Sequence, residues 1–321
     1  MKISRRFVRR AGVAFVITVA VLLVGTEIVG RLIGLCDPPL SVADDRMEYR
    51  FAPNQDCTFL GNRIIINQFS QRSPMITERA ENELRVLVIG DSIAYGGNQL
   101  DQSDIATTRL AAMLTREFDH RRVQVLNASA GSWGPANELA YVDAFGDFGA
   151  DVSIVILSTQ DADDRMTFAP TVGVSSSYPD KKPTSALSVL FSRYIPRFFA
   201  IRAAQDSATQ TATPTPDPAV METITKLVRR LSSGARPVIV VMHPQREELN
   251  APDNPAWTAI HTAAETAGAT FIDARPTYRE AARAGPPLYR DAIHPTSAGQ
   301  QVLSAVLHDA VLAAVTPKSG Q

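Results

Sequence analysis

The chain has 321 residues, of which 45% are hydrophobic and 20% charged, with a formal net charge of -1. That balance excludes a disordered chain, and a pI near 6.5 leaves no whole-chain basic footprint for nucleic acid. Two cysteines are too few for a disulfide scaffold or a four-ligand zinc site.

The near-zero charge hides an asymmetry. The first ten residues carry Lys2, Arg5, Arg6, Arg9 and Arg10 and no acid, so the rest of the chain bears -6. An uncharged apolar run follows from Ala11 to Thr26 and resumes beyond Glu27. A helix needs about 20 apolar residues to cross a bilayer core. The run reaches that length when Glu27 lies at the far headgroup level, where an acid costs much less than at the centre. Residues 1–35 are therefore expected to form an uncleaved, single-pass anchor, with the cationic end in the cytoplasm and the body of the chain outside. The rival reading is a cleaved signal peptide, but no convincing small-x-small cleavage site precedes Glu27. Residues 36–82 read as a juxtamembrane neck, with Pro38, Pro39 and one β-like run, Arg63 to Ile66. Cys36 and Cys57 fall in it. In an oxidising compartment they can pair as a disulfide; otherwise they are two unrelated thiols.

From residue 83 onward, short branched-apolar runs alternate with amphipathic stretches. Strands are expected at Arg85–Ile89, Val123–Leu126, Val152–Leu157, Val238–Met242 and Thr270–Asp273. Helices are expected near 104–118, 137–145, 219–231, 256–267 and 297–314. This alternation predicts one α/β domain, residues 83–315, with a parallel sheet covered on both faces. Residues 165–218 form a long excursion between the third and fourth strands. Its Thr-, Ala- and Pro-rich stretch Gln205–Pro218 reads as a loop.

Ligands of open parallel sheets bind at the carboxyl ends of the strands, so the residues there carry the chemistry. Gly90-Asp91-Ser92 follows the first strand, Asn127-Ala128-Ser129-Ala130-Gly131 the second, Ser158-Thr159-Gln160-Asp161 the third, and His243-Pro244 the fourth. A serine between a strand and a helix offers its hydroxyl beside its own backbone N–H, which suits a nucleophile whose product is an oxyanion. His294 is the best base among the five histidines. It stands three residues after Asp291, a spacing that lets the carboxylate hold one ring nitrogen while the other takes the serine proton. Each fragment alone reads equally well as a turn or helix cap; their conjunction is the signal.

Gly90-Asp91-Ser92 and Asp291-x-x-His294 resemble the first and last blocks of the SGNH (GDSL-like) hydrolase family. The resemblance covers about residues 83–315. It implies a flavodoxin-like α/β/α sandwich and acyl-transfer chemistry, with Ser92 as nucleophile, His294 as base and Asp291 as its orienter. For the oxyanion it implies Gly131 (or Ser132) and Gln160. Asp91 beside Ser92, and His243 by its place after the fourth strand, are candidate substrate contacts, His243 reading equally well as a structural residue. Gln160 stands where the family usually has asparagine, one methylene shorter. The pattern Asn67-x-x-x-x-Arg72-Ser73-Pro74, with the anchor, resembles a bacterial subgroup attached to the inner membrane and associated with surface polysaccharide. The expected function is thus a membrane-anchored serine esterase acting on O-acyl, chiefly acetyl, esters of extracytoplasmic carbohydrate. An O-acyltransferase with the same triad and a catalytically silent carbohydrate-binding module are the alternatives. No cofactor is expected. The acidic group Asp161, Asp163 and Asp164 reads as a solvated loop rather than a metal site, and Trp133 as a packed aromatic. Arg246 is placed with His243 as a candidate substrate contact.

Overall fold

The computed structural model describes residues 5–196, 198, 214–234 and 236–316. Helix α1 (Arg5–Leu32) is 28 residues long, about 42 Å at the α-helical rise. Its most apolar window has a mean hydropathy of 2.4 and no buried residue. Phe15, Leu22 and Val24 point outward with no protein cover. Contact with the rest of the chain begins near Glu27. Its carboxylate accepts from Ser185 Oγ (2.9 Å) and from the N–H groups of Ala186 (3.2 Å) and Leu187 (2.9 Å). These are the first donors of the short helix α5 (Ala186–Val189), so Glu27 caps it in trans. Arg31 bonds Glu27 at 2.6 Å and also reaches the carbonyl of Thr184. Gly30 permits this approach, since a Cβ there would lie 2.5 Å from the Cβ of Ala186.

The segment expected to be a neck folds instead as two antiparallel hairpins. β1 (Ser41–Asp44) pairs with β2 (Glu48–Phe51), and β3 (Gln55–Phe59) with β4 (Asn62–Ile66). Met47, Tyr49, Phe51, Phe59, Ile64 and Ile66 are buried and join one core cluster with Trp133 and Tyr141. The alternating apolar residues along these short strands are the reason: each hairpin has one face to bury, and the sheet domain covers it. The Cys36–Cys57 disulfide is not formed; both thiols are free. Cys57 turns into the core, with Sγ 3.6 Å from the Ile64 carbonyl, while Cys36 stays half-buried.

The five expected strands form one parallel sheet: β5 (Glu83–Gly90), β6 (Arg122–Ser129), β7 (Val152–Leu157), β8 (Val238–Met242) and β9 (Thr270–Asp273), in the order β6-β5-β7-β8-β9. This is the flavodoxin-like order. Along β5 the side chains alternate between faces. Leu84, Val86 and Val88 pack with α3 (Ala106–Glu117) and α9 (Ser297–Val315). Leu87 and Ile89 pack towards α4 (Pro135–Phe145), α6 (Pro218–Leu231) and α7 (Pro255–Thr266). Burial on both faces explains why the strands read as continuous apolar runs. Among the described residues the short helix α5 and the longer α8 (Arg275–Ala284) escaped the sequence pattern. For α8 the reason is local. Its three arginines and Pro276 mask a narrow apolar stripe around Tyr278. Most of the expected loop Gln205–Pro218 lies outside the described residues, and α6 begins at its last residue, Pro218.

Candidate functional site

The strand order reverses between β5 and β7, so the crevice of the sheet opens at their carboxyl ends. Ser92 stands there, first residue of the single-turn helix α2 (Ser92–Tyr95). Asp91 caps that turn, accepting from the Ile93 N–H at 2.7 Å. Ser92 Oγ lies 2.9 Å from His294 Nε2 and 3.4 Å from Asp91 Oδ2. The shorter contact holds the hydroxyl proton, because O–H bonds weaken beyond about 3.0 Å. His294 Nδ1 is 2.8 Å from Asp291 Oδ2. An ionised carboxylate only accepts, so Nδ1 carries the ring proton and Nε2 is left to accept from Ser92. Asp291 Oδ1 also takes the N–H of His294 (2.8 Å) and of Ile293 (3.0 Å). Burial alone would raise the Asp291 pKa; these N–H donors and the His294 ring outweigh it and lower it below the usual carboxylate value.

The turn carrying Ser92 is fastened by buried donors from three separate parts of the chain. Gln300 of α9 donates to the carbonyl of Ile93 (2.9 Å), and Asn127 at the end of β6 to that of Ala94 (2.8 Å). Arg72 reaches the carbonyls of Tyr95 (2.7 Å), Gly97 (2.7 Å) and Leu100 (2.6 Å). All three side chains are fully buried. A one-turn helix leaves its carbonyls without intrahelical partners, and these side chains satisfy them. Arg72 has no carboxylate partner among its hydrogen bonds. Its guanidinium lies 4.9 Å over the Tyr95 ring, and burial lowers its pKa. Gly96 ends the turn at φ +81°, and a Cβ there would come within 2.7 Å of Ile105.

The remaining expected site residues divide. Gly131 follows β6, with its carbonyl taken by the Tyr49 hydroxyl; its N–H and that of Ser92 have no hydrogen-bond acceptor among the described residues. Ser132, the alternative donor, is exposed, sits at φ +60°, and accepts from the Tyr178 hydroxyl at 3.0 Å. Gln160 makes no hydrogen bond to Ser92 or His294. Its exposed side chain lines a cleft whose walls include neither residue. His243 is fully buried and cannot meet a substrate. It stands behind the site instead, its Nε2 donating to the carbonyl of Ile293 at 3.1 Å and so supporting the loop that presents His294. Burial drops its pKa to about 4, which keeps the ring neutral. Arg246 is exposed, and its N–H holds the carbonyl of Ala292. Trp133 is packed, its Nε1 donating to the Tyr49 carbonyl at 3.0 Å.

Three further carboxyls crowd the floor. Asp91 is raised to about 6 by burial, against the pull of the Ile93 N–H and of His294. Asp161, which caps the turn after β7 through Ser158 N (2.7 Å), is raised much further by burial and by the nearby Asp91, and Glu138 of α4 by burial and by the charges of Asp161 and Asp91. Both Glu138 oxygens are buried without a hydrogen-bond partner. No group of side chains among the described residues is arranged to hold a metal ion.

A 2-1-3-4-5 parallel sandwich, with a serine at the first strand–helix turn and a histidine before the last helix, defines the SGNH class of hydrolase fold. The GDSL-like Lipase/Acylhydrolase family model matches residues 88–302, and the chain belongs to that family. No curated protein matches the chain. Among solved structures it is similar to LAE5, an alpha/beta hydrolase enzyme from the metagenome of Lake Arreo, at 18% identity over 72% of this chain and 94% of that one, TM-score 0.43. It is also similar to CEX, a two-domain esterase active on acetylated mannans, at 14% identity over 74% of this chain and 51% of that one, TM-score 0.50. Axe2, an acetylxylan esterase from Geobacillus stearothermophilus, shares 15% identity over 70% of this chain and 92% of its own, TM-score 0.43. At such identities the likeness concerns the fold.

Proposed function

We propose that the protein is a serine esterase that removes acyl groups, acetyl above all, from carbohydrate outside the cytoplasm. The observation that carries this reading is the continuous relay from Ser92 Oγ through His294 to Asp291, at 2.9 and 2.8 Å. Ser92 Oγ attacks the ester carbonyl while Nε2 takes its proton. The imidazolium, held by Asp291, returns that proton to the departing sugar oxygen as the C–O bond breaks. Water then repeats the sequence on the acyl-enzyme and releases the acid. The unengaged N–H groups of Ser92 and Gly131 are the candidate oxyanion donors. An intact relay argues against a silent binding module, which has no use for it. Carbohydrate as the alcohol part is in keeping with CEX, whose fold the chain shares.

The test is labelling of the full-length protein in detergent with a fluorophosphonate probe, together with acetate release from O-acetylated polysaccharide. Wild type labels and Ser92→Ala does not. Equal labelling of the two would overturn the assignment. We further propose that α1 spans the inner membrane once with its cationic end inside. The exposed apolar surface of the helix and the Glu27 contact with α5 support that placement. Resistance to carbonate extraction, with protease attack on the domain from the outer side only, checks it.

A further inference from the structure

A polar cleft of about 550 Å³ is lined by Gln160, Asp163, Gln245, Glu247, Glu248 and Asn254 among others. It occupies the carboxyl ends of β7 and β8, the first and second strands over from β5, which carries Ser92. Neighbouring strands are about 4.8 Å apart, so the cleft opens within the reach of one substrate chain bound at Ser92. The segment 243–250 joins the two places physically. On one side it holds the His294 loop, through His243 Nε2 to the Ile293 carbonyl (3.1 Å), Arg246 N–H to the Ala292 carbonyl (2.8 Å) and the Tyr289 hydroxyl to the Pro244 carbonyl (2.8 Å). On the other side it forms the cleft wall.

The wall is built, not incidental. Glu248 accepts from Thr159 Oγ1 (2.7 Å), Asn254 Nδ2 (3.0 Å) and Gln245 N–H (2.8 Å), and Gln245 Nε2 donates to Thr159 Oγ1 at 2.8 Å. Those bonds fix the amides and leave the Gln160 amide and the Asp163 and Glu247 carboxylates facing the opening.

The lining excludes several ligands. Among the described residues its apolar members are only Pro214, Ala251 and Pro252, which offer a long acyl chain little apolar wall. Its charged members among the described residues are all acidic, so a polyanion is repelled. Amides offer both donors and acceptors, and carboxylates accept from hydroxyls. A dense array of hydroxyl groups without negative charge fits this set. We propose that the cleft binds the unreacting sugar units of a neutral or amino-sugar glycan, while an acylated unit lies at Ser92. The proposal rests on the esterase reading and names the polymer on which that reading acts.

The experiment is isothermal titration of full-length Ser92→Ala in detergent with chitohexaose, its fully deacetylated hexamer, and hexagalacturonate. At least one of the first two binds saturably and hexagalacturonate does not. Glu247→Lys and Gln245→Leu, each in the Ser92→Ala background, weaken binding about tenfold or more, the loss expected for a hydrogen bond to a charged group or its amide neighbour. Thermal melts of both variants confirm that they fold. Absence of saturable binding by both chito-oligomers, equal binding of hexagalacturonate, or unchanged binding in both variants overturns the proposal. A wild type that labels with fluorophosphonate but binds no glycan sinks the cleft alone. One that binds glycan but does not label sinks the esterase reading alone.

Discussion

Arg72 bears most directly on how Ser92 is held. Replacing it by Met removes the donors to the carbonyls of Tyr95, Gly97 and Leu100. Each orphaned buried acceptor costs about 1–3 kcal/mol. Against this, the variant no longer buries a cation that lacks a carboxylate partner, which returns part of the loss. The balance is a destabilisation of about 3–5 kcal/mol, a fall of roughly 10 °C in melting temperature for a domain of this size. The catalytic effect follows from position. The three carbonyls lie in and just beyond the turn that begins at Ser92, the proposed nucleophile, and a displacement of about 1 Å there costs on the order of 10²-fold in rate. Arg72→Lys keeps the charge but cannot reach three carbonyls from one ammonium, so it falls between the two. Melting curves and kcat for a small acetyl ester, measured on the same samples below the variant's melting point, separate the two effects. If Arg72→Met melts within a degree or two of wild type and keeps its kcat, the bracing role assigned to Arg72 is wrong.

Three other outcomes are expected. Glu138→Gln stabilises the protein at pH 8 and changes nothing at pH 4: the folded Glu138 pKa lies above its unfolded value, so wild type loses stability as pH rises through it, and the amide cannot ionise. Equal shifts at both pH values in differential scanning calorimetry contradict this. His243 works in the opposite sense. Its folded pKa of about 4 lies below the unfolded 6.5, so stability is lost as pH falls from 6.5 towards 4, by up to about 3 kcal/mol; His243→Phe removes that slope while lowering stability at neutral pH, because the Ile293 carbonyl loses its donor. Native protein exposes Cys36 to iodoacetamide and withholds Cys57, whose thiol is buried and raised to about 11; after unfolding without reductant both react, and one or none reacting then means that a disulfide exists.

The sheet was legible because each strand is buried on both faces, and such strands announce themselves as branched-apolar runs. The meeting of Ser92, Asp291 and His294 was legible because the position after a parallel strand and the one before the last capped helix open on the same crevice. Of the hairpins at 41–66 only β4 was, as the β-like run Arg63 to Ile66; β1, β2 and β3 were not. Strands of four and five residues give too few alternations to stand out, and their apolar faces find a partner only in the folded domain. Gln300 and Glu138 escaped for a related reason, and so did the bracing roles of Arg72 and Asn127, both of which stand in motifs singled out from the sequence. Sequence patterning treats a polar residue as exposed, whereas these four are buried and three of them serve carbonyls that exist only once α2 has formed. A polar residue on an otherwise apolar stripe, such as Gln300 in SAGQQVLSAVL, is the signal that was available. His243 was misplaced because strand-end logic gives the layer of a residue but not the side from which it faces the site.

The origin of these braces bears on how the molecule works as a unit. The turn at Ser92 takes one fastening from the last helix, one from β6 and three from Arg72, six residues beyond the second hairpin. That hairpin is itself tied to the following loop: the Arg63 N–H bonds Asp101 at 2.8 Å and the Ile65 N–H bonds Gln102 at 3.2 Å, and Gln102 in turn meets Arg72. The chain between the helix α1 and the sheet is therefore continuous, through hydrogen bonds, with the residues that set the geometry of Ser92. A flexible tether would isolate the site from α1. This arrangement does the reverse: Gly34, where a Cβ would fall 1.8 Å from the Thr58 carbonyl oxygen, seats the end of α1 directly on β3, so the orientation of the site is set by the orientation of the helix.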